Sequence, residues 1–264
     1  MQSQYTYDNV TCLDTFKKNR KKRINIHKNM NFIAVFLLLF LLIVILFLMS
    51  PFLNVASIDV QGANICNKQD IINNCGINFS DNIFRINKKN VAQYLTSVFS
   101  YIDTVRISVH FPDKVTIKIV ERQAVGMIAY MGAYIIVDKN GNALEAVDIN
   151  TDKGLAVIKG INIAGFQLGH MIPAENTDNF NAAVNIVKLL IKYNLLYRVN
   201  SIDVQDIQNI HLTIEDNVMA NVSGIQDIDY KISCLNEIIK KIGTDKKGYI
   251  DFTAADNPIF IPED

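Results

Sequence analysis

The sequence predicts an α+β protein in which a single transmembrane helix is followed by a small βααββ domain and a larger mixed α/β domain built on an antiparallel sheet. Three features support this prediction: one long apolar run, a pair of strictly alternating strands before residue 122, and strand-like segments interrupted by two amphipathic helices after it. At 264 residues, the chain is long enough to form two domains with their own cores.

The apolar run covers residues 32–49, which are 18 consecutive apolar residues without a charge. As a helix, this segment would be about 27 Å long, close to the thickness of the hydrocarbon region of a bilayer. A cleaved signal peptide is the alternative, but the apolar region of such a peptide is normally about 7–15 residues long. In addition, Asn54-Val55-Ala56 is a poor cleavage site. The pattern therefore favours a retained membrane anchor.

Basic residues are concentrated ahead of this run. Residues 1–31 contain seven basic and two acidic residues, so their net charge is 7 − 2 = +5. The rest of the chain contains 26 − 7 = 19 basic and 26 − 2 = 24 acidic residues, a net charge of −5. Because basic flanks stay on the cytoplasmic side, we expect a cytoplasmic basic tail (1–31) and an extracytoplasmic C-terminus. Orientation and contact with the inner leaflet account for this tail, so we expect no nucleic-acid partner.

The small domain is predicted from a strand in VASIDVQGAN, in which Ile58 and Val60 alternate with Asp59 and Gln61, from helices over 67–75 and 87–100, and from two strands around 105–109 and 115–119. The last two strands alternate regularly between apolar and polar residues and are joined by the turn sequence FPDK. We expect the two helices to cover one face of a three-stranded sheet. The apolar face of the second helix consists of Val91, Leu95, Val98 and Phe99.

The larger domain contains more strand-like segments and two further helices. AVGMIAY and AYIIVD come first, and the turn DKNGN (138–142) leads to ALEAV and then LAVIKG. A helix over 178–193 separates these strands from NSIDVQD, HLTIED and VMANVS. A second helix over 227–242 precedes the closing strands GYIDF and PIFI. Both helices carry apolar residues at helical spacing, so each is expected to pack against the sheet.

Nine features follow one another along the chain: a basic tail, one apolar helix, IDVQGAN, CGINF, VRISVHFPDKVTIKIVER, YIIVDKNGNAL, IKGI, NSIDVQD and KGYIDF. In this order they resemble the FtsQ/DivIB family of bacterial cell-division proteins. The resemblance implies a POTRA domain at 55–122 and a β domain at 123–262. The family usually has a proline shortly after the Glu-Arg pair, whereas this chain has Ala124.

The resemblance also implies a function. Members are non-enzymatic bitopic proteins of the division septum, and they recruit and scaffold FtsB/DivIC and FtsL during septum formation. The β domain would receive FtsB/DivIC beside its last strand, and POTRA would contact other divisome proteins. In this chain, the partner-binding residues implied are Tyr249, Ile250, Phe252, Ile259, Phe260 and Ile261.

The sequence predicts no catalytic, metal or cofactor site. Its four histidines have no ligand partners at metal-binding spacing, and no nucleophile or phosphate-loop motif is present. An extracytoplasmic cell-envelope enzyme with scattered catalytic residues and a ligand-binding membrane sensor remain as alternatives. A sensor would need a cytoplasmic output module, for which residues 1–31 are too few.

Two local features receive structural interpretations. Glu121 and Arg122 end the last POTRA strand. We interpret them as a surface ion pair at the joint, the point where the POTRA domain meets the β domain, and such a pair is worth less than about 1 kcal/mol. Cys66 and Cys75 flank the first short helix, which would separate their Cα atoms by about 13 Å, too far for a disulfide. We expect both cysteines to act as small buried hydrophobic residues.

Overall fold

The computed structural model describes residues 26–215, 217–243, 246–253 and 258–263. Most of the predicted cytoplasmic tail, residues 1–25, lies outside the described residues. The first element is helix α1, Ile26–Leu48, which begins ahead of the predicted apolar segment 32–49 and includes nearly all of it. The large apolar side chains described in α1 are almost all exposed.

Across the described residues, no helix is both long enough and apolar enough to cross a membrane.

Residues 57–121 form a three-stranded unit in the predicted βααββ order. The central strand β3 pairs in parallel with β1 and antiparallel with β2, which gives the order β1-β3-β2. Its elements are β1 (Ser57–Gln61), α2 (Lys68–Asn74), α3 (Lys88–Val98), β2 (Ile102–His110) and β3 (Lys114–Glu121).

Side-chain caps explain where the two helices of this unit begin. The Asn67 side chain accepts a hydrogen bond from Gln69 N at 2.8 Å, and the Asn87 side chain accepts one from Asn90 N at 3.1 Å. Helix α3 ends at Val98 rather than residue 100, and Val98 is exposed, not buried as predicted. The reason is that the next residue already has extended backbone angles and directs the chain toward β2.

The rest of the chain builds a nine-stranded sheet with the order β12-β11-β10-β9-β8-β7-β4-β5-β6. Two helices, α4 (Thr177–Lys192) and α5 (Ile228–Ile242), accompany it. The strands are β4 (Ala124–Tyr130), β5 (Ala133–Asp138), β6 (Ala143–Asp148), β7 (Ala156–Lys159), β8 (Val199–Asp203), β9 (His211–Ile214), β10 (Val218–Asn221), β11 (Gly248–Asp251) and β12 (Ile259–Pro262).

The prediction of an antiparallel sheet is wrong in one respect, because this sheet is mixed. Strand β7 is parallel to both β4 and β8, and β10 is parallel to β11, whereas the other pairs are antiparallel. Helix α4 lies between β7 and β8 in the chain, and α5 lies between β10 and β11. A crossover helix returns the chain to the end of the sheet where it started, so the two strands that it joins run in the same direction.

The main core lies between the sheet and helices α4 and α5. Ile186 and Leu190 of α4 and Ile232 and Leu235 of α5 are completely buried in it, together with apolar residues of the central strands. A smaller cluster of Met127, Ile136 and Leu144 lies on β4, β5 and β6, and Tyr101 from the three-stranded unit packs against it. The three-stranded unit therefore contacts the nine-stranded sheet near its β6 end.

Candidate partner-binding edge and interdomain joint

Strand β12 forms one edge of the nine-stranded sheet. It pairs with β11 alone, in antiparallel register, with Ile261 opposite Tyr249 and Phe260 opposite Ile250. The second long side of β12 has no strand beside it among the described residues. An edge of this kind presents unpaired backbone groups to which another strand can add.

The six residues implied as partner-binding differ in how accessible they are. Ile250 and Phe252 are 0% and 1% exposed and belong to the main core, so a partner could not touch their side chains. Ile259 and Ile261 are 57% and 52% exposed, and Tyr249 is half-buried. The Phe260 ring packs partly against the core from the other face of β12.

The backbone of β12 offers few donors at its outer side. Glu263 N donates to Lys247 O at 3.1 Å, so by alternation Ile259 and Ile261 also bond to β11, and Phe260 and Pro262 direct their backbone groups outward. Pro262 has no N–H, and neither does Pro258 just ahead of the strand. Within β12, the outer side therefore consists of the Phe260 N–H and carbonyl oxygens.

Gly248 allows β12 to lie close to β11. A Cβ atom added to Gly248 would lie 2.5 Å from Ile261 O and 2.7 Å from atoms of the Phe260 ring. The ring thus occupies the space above the glycine, and any larger residue would push the edge strand away. This residue was not singled out from the sequence, because a glycine at the start of a strand does not reveal what lies above it.

The opposite edge of the sheet, β6, is partly covered. Ala143 N donates to His170 O at 2.9 Å, and Gly169 N donates to Ala143 O at 2.7 Å. The Ser100 hydroxyl, from the three-stranded unit, donates to Leu144 O at 2.6 Å. The first residues of β6 are therefore already hydrogen-bonded on their outer side, which leaves β12 as the more open edge.

Glu121 and Arg122 do not form the predicted surface ion pair, because neighbouring side chains of an extended chain point in opposite directions. The Glu121 carboxylate accepts hydrogen bonds from the backbone N–H groups of residues 64–66 at 2.8–3.0 Å. Burial raises the pKa of the Glu121 carboxyl, but these hydrogen bonds outweigh burial and hold the pKa below its ordinary value.

Arg122 instead makes a buried ion pair with Asp138 of β5. Its Nη1 lies 2.9 Å from Asp138 Oδ2, and the two side chains are 12% and 4% exposed. Its Nε donates to Ile102 O at 3.3 Å. Asp138 also accepts hydrogen bonds from Asn140 N, Asn142 N and Asn142 Nδ2. One carboxylate therefore organises the β5–β6 turn and holds the arginine at the joint.

Tyr101 adds another contact across the joint. Its hydroxyl donates to Glu145 Oε2 on β6 at 3.0 Å. Burial and then this hydrogen bond raise the pKa of Tyr101 to about 12. The three-stranded unit is therefore tied to β5 and β6 through Ser100, Tyr101 and Arg122.

The described residues contain no group of three or more His, Cys, Asp or Glu side chains placed to hold a metal ion. An open groove of about 1010 Å³ lies beside the end of α1, lined in part by Leu48, Phe84, Arg85 and Asn87. Cys66, Cys75 and Cys234 are free thiols in the described part of the chain. Cys75 is buried as expected, whereas Cys66 is only half-buried.

Comparisons with known proteins indicate the class of protein to which the chain belongs. Residues 53–122 match the model of the POTRA domain, FtsQ-type. Over 222 residues, the chain is 30% identical to the cell division protein DivIB of Clostridium acetobutylicum, covering 83% of this chain and 87% of that protein. It is 28% identical to DivIB of Clostridium botulinum strain Hall, covering 95% and 96% of the two chains. The chain belongs to the DivIB family of cell division proteins.

A solved structure, the major extracytoplasmic domain of DivIB from Geobacillus stearothermophilus, gives a TM-score of 0.29 at 13% identity. The match covers 43% of this chain and 87% of that chain. A score this low supports no comparison of the two folds.

Proposed function

We propose that this protein is a non-enzymatic, single-pass membrane scaffold of the divisome, and that it recruits FtsB/DivIC, together with FtsL, by strand addition to β12. The observation that carries the proposal is the free edge of the nine-stranded sheet, where Ile259 and Ile261 are exposed. Membership of the DivIB family supports the role in cell division.

A partner strand would bond to β12 mainly by donating hydrogen bonds. Only Phe260 can supply an outward N–H, whereas its own carbonyl and that of Pro262 can accept. Prolines at an edge protect it against unselective pairing, and here Pro258 and Pro262 would limit the added strand to a short stretch. Apolar side chains of the partner would cover Ile259 and Ile261, while the buried Ile250 and Phe252 support the edge from below.

The proposal also assigns a role to each segment of the chain. Residues 55–122 would be the POTRA domain and 123–262 the β domain, with POTRA available to other divisome proteins. The apolar segment 32–49, most of which lies in α1, would anchor the chain, with the basic tail in the cytoplasm and both domains outside. Enrichment at the division septum would follow from the partners.

The test of the binding edge is co-purification from cells that contain the tagged full chain and its own FtsB/DivIC and FtsL. Phe260→Pro removes the only outward N–H of β12, so the yield of the partner should fall at least tenfold. Phe260→Leu is the matched control, because it keeps the N–H and an apolar side chain and should retain most of the partner. Full partner yield with a folded Phe260→Pro chain would show that the strand does not add at this edge.

Localisation tests the divisome role separately. A fluorescent fusion of the full chain should form a band at mid-cell, and its depletion should block septation. Uniform membrane signal with normal division on depletion would contradict the role, whatever the result at β12.

A further inference from the structure

The three-stranded sheet carries cationic side chains on the face that its helices do not cover. Val115, Ile117 and Ile119 of β3 point into the core, so the residues that alternate with them point outward. The register places Arg106 directly opposite Lys118 and His110 directly opposite Lys114. The cationic face, as we define it, consists of Arg106, Lys114 and Lys118, with His110 beside Lys114.

Placing Arg106 opposite Lys118 is unfavourable for the sheet alone, since like charges in register destabilise a strand pair. Lys114 is partly neutralised by Asp59, at 3.7 Å. Within the described part of the chain, Arg106 and Lys118 form no ion pair, and both are exposed. The residues after position 31 have a net charge of −5 (19 basic, 24 acidic), so this cluster goes against the overall charge of that region.

We propose that the cationic face binds an anionic polymer that carries phosphate groups along its chain. The pair formed by Arg106 and Lys118 is four residues along β3 from the pair formed by His110 and Lys114, which corresponds to about 13 Å. The row between them contains the hydroxyl groups of Ser108 and Thr116 and, on β1, the carboxylate of Asp59 that pairs with Lys114. An extended polymer lying along the strands would place some of its phosphates over each of the two cationic rows and others near the half-buried Ser108 hydroxyl.

The surroundings of the face favour a hydrophilic polymer over an acidic protein. Protein interfaces take most of their affinity from buried apolar or aromatic anchors. The outward positions of β3 provide one apolar side chain, Val120, next to the row formed by Arg106 and Lys118. Arg106 suits phosphate in particular, because guanidinium groups bind it through two parallel hydrogen bonds.

Linear polyphosphate, titrated into the full chain in detergent micelles, tests this proposal. The double variant Arg106→Gln/Lys118→Gln should bind polyphosphate at least tenfold more weakly than the unaltered chain. Its plot of log affinity against log salt should be shallower by about 1.4, since each lost phosphate contact on a single strand removes about 0.7 from the slope. The variant should melt at the same temperature or higher, because it removes one like-charge pair.

The matched control is Lys188→Gln/Lys241→Gln, which removes two exposed positive charges from α4 and α5. Equal losses from the two double variants would mean that net charge alone governs binding and would overturn the proposal. Two further results would also overturn it. One is equal or tighter binding of polyglutamate, which would point to an acidic protein segment. The other is binding to vesicles that contain phosphatidylglycerol without any binding to polyphosphate, which would point to a lipid surface.

Discussion

Asp138 shows how one side chain joins two parts of the molecule. It is almost fully buried and receives hydrogen bonds from Asn140 and Asn142 of its own turn and from Arg122 at the end of the three-stranded unit. Burial raises the pKa of its carboxyl group, but these donors outweigh burial, so the pKa is lowered from its ordinary value. A buried carboxylate with this many donors is stable only as the charged form.

We therefore expect Asp138→Asn to destabilise the protein. The amide cannot balance the charge of the buried Arg122, and breaking a buried ion pair costs about 3–5 kcal/mol. Asp229→Asn is the matched control, because the Lys192–Asp229 pair is exposed and should contribute little. Chemical denaturation of the full chain measures both changes, and equal effects would show that the Arg122–Asp138 pair is not buried in solution.

Acid should weaken the same site. Because the folded-state pKa of Asp138 lies below its unfolded value near 3.8, its ionisation stabilises the fold above that pH. This stability is lost as the pH falls from the unfolded value through the folded one, and Glu121 contributes in the same direction. Denaturation between pH 6 and pH 3 should show a smaller acid loss for Asp138→Asn than for the unaltered chain; identical losses would exclude Asp138 as a source.

Strand β3 has one face buried in the core and one face directed to the solvent. Ile117 is 0% exposed and packs beneath the helices, while its neighbour Lys118 lies on the cationic face opposite Arg106. Thr116, on the same outer face, is nevertheless buried because it lies between Asp59 of β1 and Ser108 of β2. The central position of the strand therefore decides burial as much as the direction of the side chain.

Replacing neighbours in β3 tests this register. Ile117→Asp would bury an unpaired carboxylate at a cost of several kcal/mol, about the whole stability of a small domain. Lys118→Asp would face Arg106 and replace repulsion by attraction, so stability should be unchanged or rise by up to about 1 kcal/mol. Thermal unfolding of the two variants compares them directly, and a destabilising Lys118→Asp would mean that the strand is shifted by one residue.

For the whole molecule, the sheet separates the two contact regions. The three-stranded unit contacts β5 and β6, and the proposed partner edge is β12, seven strands from β5 and eight from β6 in the sheet. At about 4.8 Å between strands, the distance measured along the sheet is about 34–38 Å. A partner strand at β12 would therefore leave the contacts of Ser100, Tyr101 and Arg122 undisturbed.

The orientation of the chain in the membrane can be tested on the intact protein. A membrane-impermeant thiol reagent applied to cells whose outer face is accessible should leave Cys12 unlabelled, because the basic tail is expected inside. Asn185→Cys, at an exposed position of α4, should react. Peptide mapping distinguishes these sites from the free thiols Cys66, Cys75 and Cys234. Labelling of Cys12 without labelling at residue 185 would indicate the opposite membrane orientation.

Local sequence patterns determined the elements themselves. Alternation located β2 and β3, and apolar spacing located α3, α4 and α5. These features depend on residues within one or two turns of each other, so the chain order is sufficient to find them. The last two strands at the partner edge were predictable for the same reason.

Only the tertiary structure decided which strands became neighbours and which side chains paired. Nothing local to Arg122 indicates that its partner is Asp138 rather than Glu121, because that choice depends on how β3 and β5 approach each other. The parallel pairings beside β7, the fit of Phe260 over Gly248 and the burial of Ile250 below the edge also arise between segments distant in sequence. Hydrogen bonding and close packing act through space, so these contacts are set by the folded sheet as a whole, whereas the caps and alternation are set by neighbours along the chain.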